Sequence, residues 1–277
     1  DKVTLQGRNF VYTYSKKKGL FDSFSYGGIE YLDRPMEINI WRAPTDNDMY
    51  VKLAWKKAHY QEAYARAYDT SVKLSRDGVV ISSTMSVSAA SVQRILDISA
   101  VWIIDNNGGI YSTLDVSKNE EFPALPRFGV RLFLSDKLNE VSYYGYGPAE
   151  SYCDKHRAAS HGLYHAKVME LHEDYLRPQE NGSHFDCDFV KIHNGQFGLA
   201  AASERRFSFQ ASVYTQEELE GKAHNFELEA SGSTVLCLDY ALNGIGSNSC
   251  GPEVLEKYRF DDARFRFGIK LVPYIKQ

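Results

Sequence analysis

The chain has 277 residues, of which 43% are hydrophobic and 25% charged, and this ordinary globular composition excludes wholesale disorder. Its 32 basic and 36 acidic residues give a net charge of −4, which favours neither nucleic acid nor a membrane as a partner. No window approaches the ~18 consecutive apolar residues of a membrane helix. No signal peptide is visible, and the chain starts at Asp1 rather than Met, which indicates a processed or shortened protein. We expect a single domain, residues 1–277.

Short strands separated by turns dominate the predicted elements. Aromatic residues reach 13%, a load that favours β-sheets. Asp77-Gly78 and Asn194-Gly195 are hairpin signals. In chain order the predicted strands are Val3–Tyr14, Leu20–Tyr26, Val79–Val87, Ile95–Ile104, Ile110–Val116, Phe189–His193, Phe197–Ala202, Arg205–Tyr214, Phe226–Glu229, Thr234–Leu242 and Phe265–Ile275. The pattern predicts an all-β sandwich or barrel.

The stretch between residues 52 and 74 is ambiguous by periodicity. Tyr60, Tyr64 and Tyr68 are four apart, a spacing that fits a helix face and also one side of a strand. Alanines near the front favour a helix, and the β-branched residues near the back favour a strand. We predict a short helix near residues 52–59, followed by a long strand.

An irregular region runs from residue 145 to residue 183 and contains four histidines. A loop this long in one domain is usually functional or part of an interface. His161 and His165 would share one helix face, but no H-E-x-x-H motif is present, so the pattern does not favour a metal site. The other two histidines are His156 and His172.

The four cysteines lie far apart in the sequence, without a C-x-x-C pair. A zinc ribbon is therefore disfavoured, and a chain of this size does not need disulfides. We expect reduced, mostly buried thiols in a cytoplasmic protein. The cysteines are Cys153, Cys187, Cys237 and Cys250.

The densest polar cluster follows Trp41 and Arg42 at residues 43–48. Pro44 and the run Asp46, Asn47, Asp48 predict a tight turn. Its oxygens suit sugar hydroxyls or a hard cation, although the spacing is not that of an EF-hand. A turn that hydrogen-bonds to itself beside a buried tryptophan is the simpler interpretation and remains open.

Two glutamates and one glycine-rich loop are further candidates. Glu150 and Glu180 lie in loop contexts, and a retaining glycosidase needs two facing carboxylates, but a solvated or loop-bracing carboxylate is the favoured interpretation of each. The loop at residues 244–251 lacks the G-x-G-x-x-G spacing of a phosphate site. Cys250 has no sequence partner that supports a nucleophilic thiol.

Three motifs together resemble one family. They are Trp41-Arg42-Ala43-Pro44-Thr45-Asp46-Asn47-Asp48, then Tyr144-Gly145-Tyr146-Gly147-Pro148-Ala149-Glu150-Ser151-Tyr152 continuing to Pro178-Gln179-Glu180-Asn181-Gly182, and Gly244-Ile245-Gly246-Ser247-Asn248-Ser249-Cys250-Gly251-Pro252. Their order and spacing are similar to those of the C-terminal domain of bacterial β-galactosidases of glycoside hydrolase family 2, the small subunit in two-chain members. The resemblance covers essentially the whole chain.

The resemblance implies an antiparallel β-supersandwich of the galactose-mutarotase type. It also implies that the catalytic glutamates and the magnesium ligands belong to a separate barrel, so we expect no catalytic residue, metal site or cofactor in this chain. The partners implied are that barrel portion, in the same chain or as a large subunit, and a β-galactoside substrate.

We expect the turn at residues 42–48 and the loop at residues 244–251 to meet at one end of the sandwich, facing the barrel. Arg42 would brace the turn, and Asp46, Asn47 and Asp48 would contact loops or sugar hydroxyls. Cys250 stands where some family members have tryptophan, so its stacking area would be smaller.

Three hypotheses therefore remain. The first is a non-catalytic domain that shapes the pocket of a β-galactosidase hydrolysing terminal β-D-galactosides of the lactose type. The second is a mutarotase-like aldose epimerase, which would need a general acid and base in one cleft. The third is a carbohydrate-binding or assembly module.

Overall fold

Antiparallel strands form most of the chain in a computed structural model that describes residues 1–276. The strands of these residues are β1 (Lys2–Gln6), β2 (Phe10–Ser15), β3 (Leu20–Tyr26), β4 (Ile29–Glu30), β5 (Leu32–Asn39), β6 (Tyr64–Ser75), β7 (Gly78–Ser88), β8 (Leu96–Asp105), β9 (Ile110–Lys118), β10 (Arg127–Ser135), β11 (Glu140–Gly147), β12 (Ser160–Lys167), β13 (Ser183–His193), β14 (Phe197–Ser212), β15 (Ser233–Leu242) and β16 (Arg264–Ile275). The two α-helices of the same residues are short, α1 (Val51–Lys57) and α2 (Gln216–Gly221).

The first four strands form a small sheet that covers a larger one. Its inner face is aromatic because alternate residues of β2 and β3 point inward. Phe21 packs edge-to-face on Trp102 of β8, with ring centroids 5.3 Å apart. The Tyr14 hydroxyl lies 2.8 Å from the Ser83 hydroxyl of β7. These contacts bury the apolar faces of both sheets in one core.

The larger sheet has twelve strands and branches at β14. The first half of β14 pairs with β16, and the path continues through β9, β8, β7 and β6. The second half pairs with β15, which leads to β10 and β5. Both halves pair with β13 on the other side. One strand therefore belongs to two layers, and the fold is the antiparallel β-supersandwich that the family resemblance implied.

Several sequence-based boundaries differ from the structure. The predicted strand Val3–Tyr14 is two strands, separated at Gly7, whose N–H bonds to the Phe10 carbonyl. The strands predicted at 197–202 and 205–214 are continuous as β14. The prediction of a strand at Phe226–Glu229 is wrong, because residues 225–227 form a 3₁₀ turn closed by the Glu227 carboxylate on the N–H groups of residues 223 and 224.

The ambiguous stretch resolves as predicted. Helix α1 occupies Val51–Lys57, and the long strand β6 follows at Tyr64–Ser75. Strands β4, β5, β10, β11 and β12 were not predicted. In β10 nearly every residue is buried, so the two-residue alternation that marks a half-exposed strand is absent from its sequence.

Among the described residues, no helix has both the length and the apolar character needed to cross a membrane.

Candidate functional site

Arg42 joins the Arg42–Asp48 turn to the glycine-rich loop. Its guanidinium is fully buried and bonds to both carboxylate oxygens of Asp48, at 3.2 and 2.7 Å. The same group donates to the carbonyl oxygens of Asn243 and Gly244. A planar fork of donors can serve one carboxylate and two carbonyls at once. Two segments about 200 residues apart in sequence are therefore fastened together at one buried side chain.

Burial disfavours the charge of Arg42, but the Asp48 carboxylate offsets this and raises the pKa of Arg42 above its ordinary value.

Asp48 also closes its own turn. Its carboxylate accepts the backbone N–H of Thr45 at 2.9 Å and the Thr45 hydroxyl at 3.1 Å. The self-bonded turn beside a buried tryptophan is thus present, since Trp41 is only 4% exposed. The turn is rigid because its polar groups are paired inside the chain.

The remaining turn residues point outward. Asp46 is exposed, and its backbone N–H bonds to the Gln179 side chain at 3.0 Å. Asn47 is half-buried and donates to the Gly246 carbonyl at 2.7 Å. The Asp154 carboxylate also holds the glycine-rich loop, because it accepts the backbone N–H groups of Ile245 and Gly246 at 2.9 and 2.7 Å. These contacts fix the first residues of the glycine-rich loop against the turn.

Cys250 lies further along this loop and is exposed. Its sulfur is 4.0 Å from the neighbouring Ser249 hydroxyl. It is therefore not a core thiol. Cys187 and Cys237 are buried and Cys153 is partly buried, and all four cysteines are free. Burial raises the pKa of Cys153 to about 11 and that of Cys237 to about 12, which keeps both as neutral thiols.

A second buried arginine lies behind the turn. Arg127 bonds to Asp239 through two donors and to Glu180 at 3.2 Å, and all three side chains are inaccessible to solvent. The backbone N–H of Glu180 donates to the Ala43 carbonyl of the turn at 3.0 Å. Burial raises the pKa of Glu180 to about 7, against the opposing charges of Arg127 and Arg42. Glu180 thus braces the turn from the interior.

Glu150 braces the adjoining loops. Its carboxylate accepts Lys155 at 2.6 Å, the hydroxyls of Tyr152 and Tyr175, and the N–H of Gly182 at 3.0 Å. Burial favours its neutral form, but the bonds from Lys155 and Tyr175 outweigh burial and lower the pKa of Glu150. Every lone pair direction of this carboxylate has a partner, which matches the bracing interpretation.

The histidines of the irregular region do not form a cluster. His161 and His165 lie on β12 rather than on a helix. His161 contacts the Asp186 carbonyl at 2.9 Å, whereas His165 contacts the Ser142 hydroxyl at 2.8 Å. Within residues 1–276, no group of three or more His, Cys, Asp or Glu side chains is arranged to hold a metal ion.

Sequence reasoning missed Arg127, Asp239 and Asn243. No local motif marks them, since the contacts that tie them to the site join residues 53 to 201 positions apart. The only available signal was an ionisable residue within an otherwise apolar run, such as Asp239 within Val235–Leu242.

Known proteins resemble this chain along most of its length. Residues 6–271 match the family described as beta galactosidase small chain. The β-galactosidase of Actinobacillus pleuropneumoniae is 41% identical over 271 residues, covering 98% of this chain and 27% of that protein. The β-galactosidase of Staphylococcus xylosus is 33% identical and covers 96% of this chain and 27% of its own length. The chain thus spans about a quarter of these relatives.

Solved structures show the same fold at low identity. The galactose 1-epimerase of Lactobacillus acidophilus NCFM superposes with a TM-score of 0.58 at 8% identity, covering 100% of this chain and 95% of that one. A galactose mutarotase-like protein from Lactobacillus casei ATCC 334 gives 0.54 at 10% identity, covering 99% of this chain and 100% of that one. The fold is therefore galactose-mutarotase-like, and the match along residues 6–271 shows that the chain belongs to the β-galactosidase small chain family.

Proposed function

We propose that this chain is the non-catalytic C-terminal portion of a β-galactosidase and helps to shape the pocket that binds terminal β-D-galactosides of the lactose type. The observation that carries the proposal is the 41% identity to a β-galactosidase along 98% of this chain, which leaves most of that enzyme outside the match. The catalytic glutamates and magnesium belong, in this proposal, to the barrel portion of the same enzyme, in one chain or as a large subunit.

The non-catalytic role is supported by the state of the two candidate glutamates. Glycoside hydrolysis by paired carboxylates needs both groups to reach the sugar. Glu180 is 2% exposed and bonded to Arg127, and Glu150 has four internal partners. Both carboxylates are committed to holding the loops.

The role in pocket shaping is supported by the surface that the loops leave open. Asp46 is exposed and Asn47 is half-buried on the turn that Arg42 holds, and Cys250 is exposed on the loop whose first residues Arg42 and Asp154 fix. Rigid loops with exposed polar tips suit the rim of a sugar site, because hydroxyl recognition needs donors and acceptors in fixed positions.

A chimera tests the proposal. This chain replaces the matching segment of the Actinobacillus relative, and hydrolysis of a nitrophenyl β-galactoside is measured for the chimera, for the relative without that segment, and for this chain alone. We expect the chimera to hydrolyse the substrate, and we expect neither of the other two proteins to do so. Turnover by the isolated chain that is lost on Glu150→Gln or Glu180→Gln would contradict the non-catalytic role.

Cys250→Trp in the chimera separates pocket shaping from assembly. An indole offers a far larger stacking face than a thiol, and an exposed position can accept it with little change in stability. We expect tighter inhibition by glucose, by about tenfold for ~1.4 kcal/mol of stacking. Cys250→Ser is the size-matched control. Unchanged glucose affinity in Cys250→Trp would favour a module that serves assembly only.

A mutarotase-like epimerase is the second candidate, because the fold superposes on a galactose 1-epimerase. Glu150 and His156 line one open depression of about 470 Å³. The Glu150 oxygens are already bonded to Lys155 and Tyr175, which disfavours Glu150 as the general base of an epimerase. Polarimetry of freshly dissolved α-galactose decides this candidate: accelerated mutarotation by the purified chain would support it.

A further inference from the structure

Three separate segments are fastened into one surface next to the Arg42–Asp48 turn. The Asp46 N–H bonds to Gln179 at 3.0 Å, which ties the turn to residues 174–179. Lys56 of α1 pairs with Glu220 of α2 at 2.6 Å. The N–H of Asn225 donates to the Leu176 carbonyl at 3.0 Å. The segments 46–57, 174–179 and 220–226 are thus each joined to the other two.

Large apolar side chains project from all three segments. Leu176 and Phe226 are 82% and 81% exposed, and Tyr50 and Leu53 are 60% and 64% exposed. We call these four residues the apolar rim. Leu53 lies one helical turn before Lys56, so it shares the α1 face that meets α2. Single exposed apolar residues are ordinary, but four on mutually bonded segments are a surface feature of the kind that marks an interface.

The polar groups beneath the apolar rim are already paired. Glu220 accepts the Trp41 indole N–H at 3.0 Å as well as Lys56. The Asn225 side chain bonds to Asp174 at 2.9 Å. The Phe226 ring stacks on His224 with centroids 5.2 Å apart. These pairs hold the three segments in place, and the four exposed apolar side chains of the rim remain for a partner to cover.

We propose that the apolar rim docks this chain onto the part of the β-galactosidase that lies outside it. This inference rests on the proposed function. The occupant follows from two observations: the β-galactosidases that match span about four times the length of this chain, and the apolar rim is continuous with the turn proposed to face the catalytic portion. The docked surface of that portion would be largely apolar, because it would cover the four exposed apolar side chains of the rim.

Hydroxyl-radical footprinting of the isolated chain and of the chimera tests this. Leucine and aromatic side chains report their exposure directly, without substitution. We expect several-fold less oxidation of Leu176 and Phe226 in the chimera than in the free chain. Leu74 on β6 is 85% exposed and serves as the matched control, with equal oxidation in both. Equal labelling of all three residues in both proteins would overturn the proposal.

Substitution gives an independent measurement. The double variant Leu176→Ser, Phe226→Ser should leave the stability of the isolated chain unchanged, because both side chains are exposed. In the chimera it should speed thermal inactivation about tenfold, as expected for loss of interface contacts. Leu74→Ser should have no effect on either protein. An unaffected double-variant chimera would count against docking.

The outcomes separate this inference from the proposed function. An active chimera whose apolar rim is as reactive as in the free chain overturns docking and leaves the proposed function standing. A protected rim in an inactive chimera supports docking and counts against pocket shaping. Sedimentation of the isolated chain as a dimer, abolished by the double variant, would assign the apolar rim to a second copy of this chain instead.

Discussion

At the scale of single residues, two buried arginines organise the proposed pocket end. Arg42 spans the turn and the glycine-rich loop, and Arg127 holds Asp239 and Glu180 behind them. Removing one partner from such a network leaves a buried charge or carbonyl without compensation, which costs more than the bond itself contributes. Loss of either arginine should therefore destabilise the turn and loop that it holds by more than its own hydrogen bonds contribute to the free energy of unfolding.

Arg42→Lys should destabilise the chain by about 3 kcal/mol, because an ammonium group cannot serve Asp48 and two carbonyls together. Chemical denaturation measures the change. Arg266→Lys is the control: it also removes a two-donor pair, with Asp115, but at a solvent-exposed site where such pairs contribute little. Equal effects of the two substitutions would contradict a special role for Arg42.

The raised pKa of Glu180 should make the stability of the chain depend on pH. Its pKa is about 7 in the folded chain against an ordinary value of 4.5, because it is buried. The folded chain keeps this proton where the unfolded chain has lost it. The contribution of this proton to the free energy of unfolding is therefore complete below pH 4.5 and is lost as the pH rises through 7. The free energy of unfolding should fall by about 2 kcal/mol between pH 5.5 and 8 for this reason.

Glu180→Gln should remove that slope, measured by urea denaturation at the two pH values. Glu150→Gln is the matched control. The pKa of Glu150 is lowered, so it is ionised in both states across this window and its replacement should leave the slope unchanged. A wild-type slope that persists in Glu180→Gln would mean that Glu180 is ionised in the folded chain at both pH values.

At the scale of elements, β10 connects the arginine network to the second branch of the sheet. It lies between β5 and β15, and its register shifts between Phe128 and Gly129, directly after Arg127. A Cβ atom at Gly129 would collide with the Leu238 carbonyl and, at 2.5 Å, with the Asp239 carboxylate. Glycine is needed there because the backbone of β15 and the arginine partner both approach it closely.

Gly129→Ala should therefore cost about 2 kcal/mol, within the range for overpacking a buried site. The midpoint of thermal unfolding measures it. Gly221→Ala is the control, because a Cβ atom there meets no atom within 4 Å and the residue ends helix α2. If both alanine variants unfold at the wild-type temperature, β10 and β15 can move apart at Gly129 to admit a methyl group at little cost.

At the scale of the whole molecule, β14 makes the two branches of the sheet interdependent. Its sixteen residues pair with β13, β15 and β16, so that each branch loses its hydrogen bonds to the shared strand if β14 unfolds. The small N-terminal sheet is joined to the same core through Phe21 and Trp102. Shared strands and a continuous core couple the stability of the parts.

Residues 1–277 should consequently unfold as one cooperative unit. Differential scanning calorimetry checks this, because the calorimetric and van't Hoff enthalpies agree only for a two-state transition. Two separate transitions, or a van't Hoff enthalpy well below the calorimetric one, would show that the two branches unfold independently, as two domains that meet at β14. The apolar rim variants give the comparison, since exposed substitutions should not split the transition.

The sequence alone was enough for the elements whose signals are local. Asp77-Gly78 marked the turn between β6 and β7, and the alternation of Val79–Val87 marked β7 itself. The motifs around Trp41, Glu150 and Gly244 were sufficient for the family, because a long run of specific residues needs no knowledge of contacts. The sequence leaves Glu150 and Glu180 as either solvated or loop-bracing carboxylates, and their internal contacts select bracing.

Tertiary structure decided what depends on distant partners. Buried on both faces, β10 carries no alternation in its sequence, and Phe226 is an exposed ring on a 3₁₀ turn rather than a strand residue. The Arg127 network joins residues 112 positions apart, and the segments that carry the apolar rim are joined across 164 positions, by Lys56 and Glu220. Composition and periodicity describe a residue's own neighbourhood, whereas these sites exist only because folding brings separate segments into hydrogen-bonding distance.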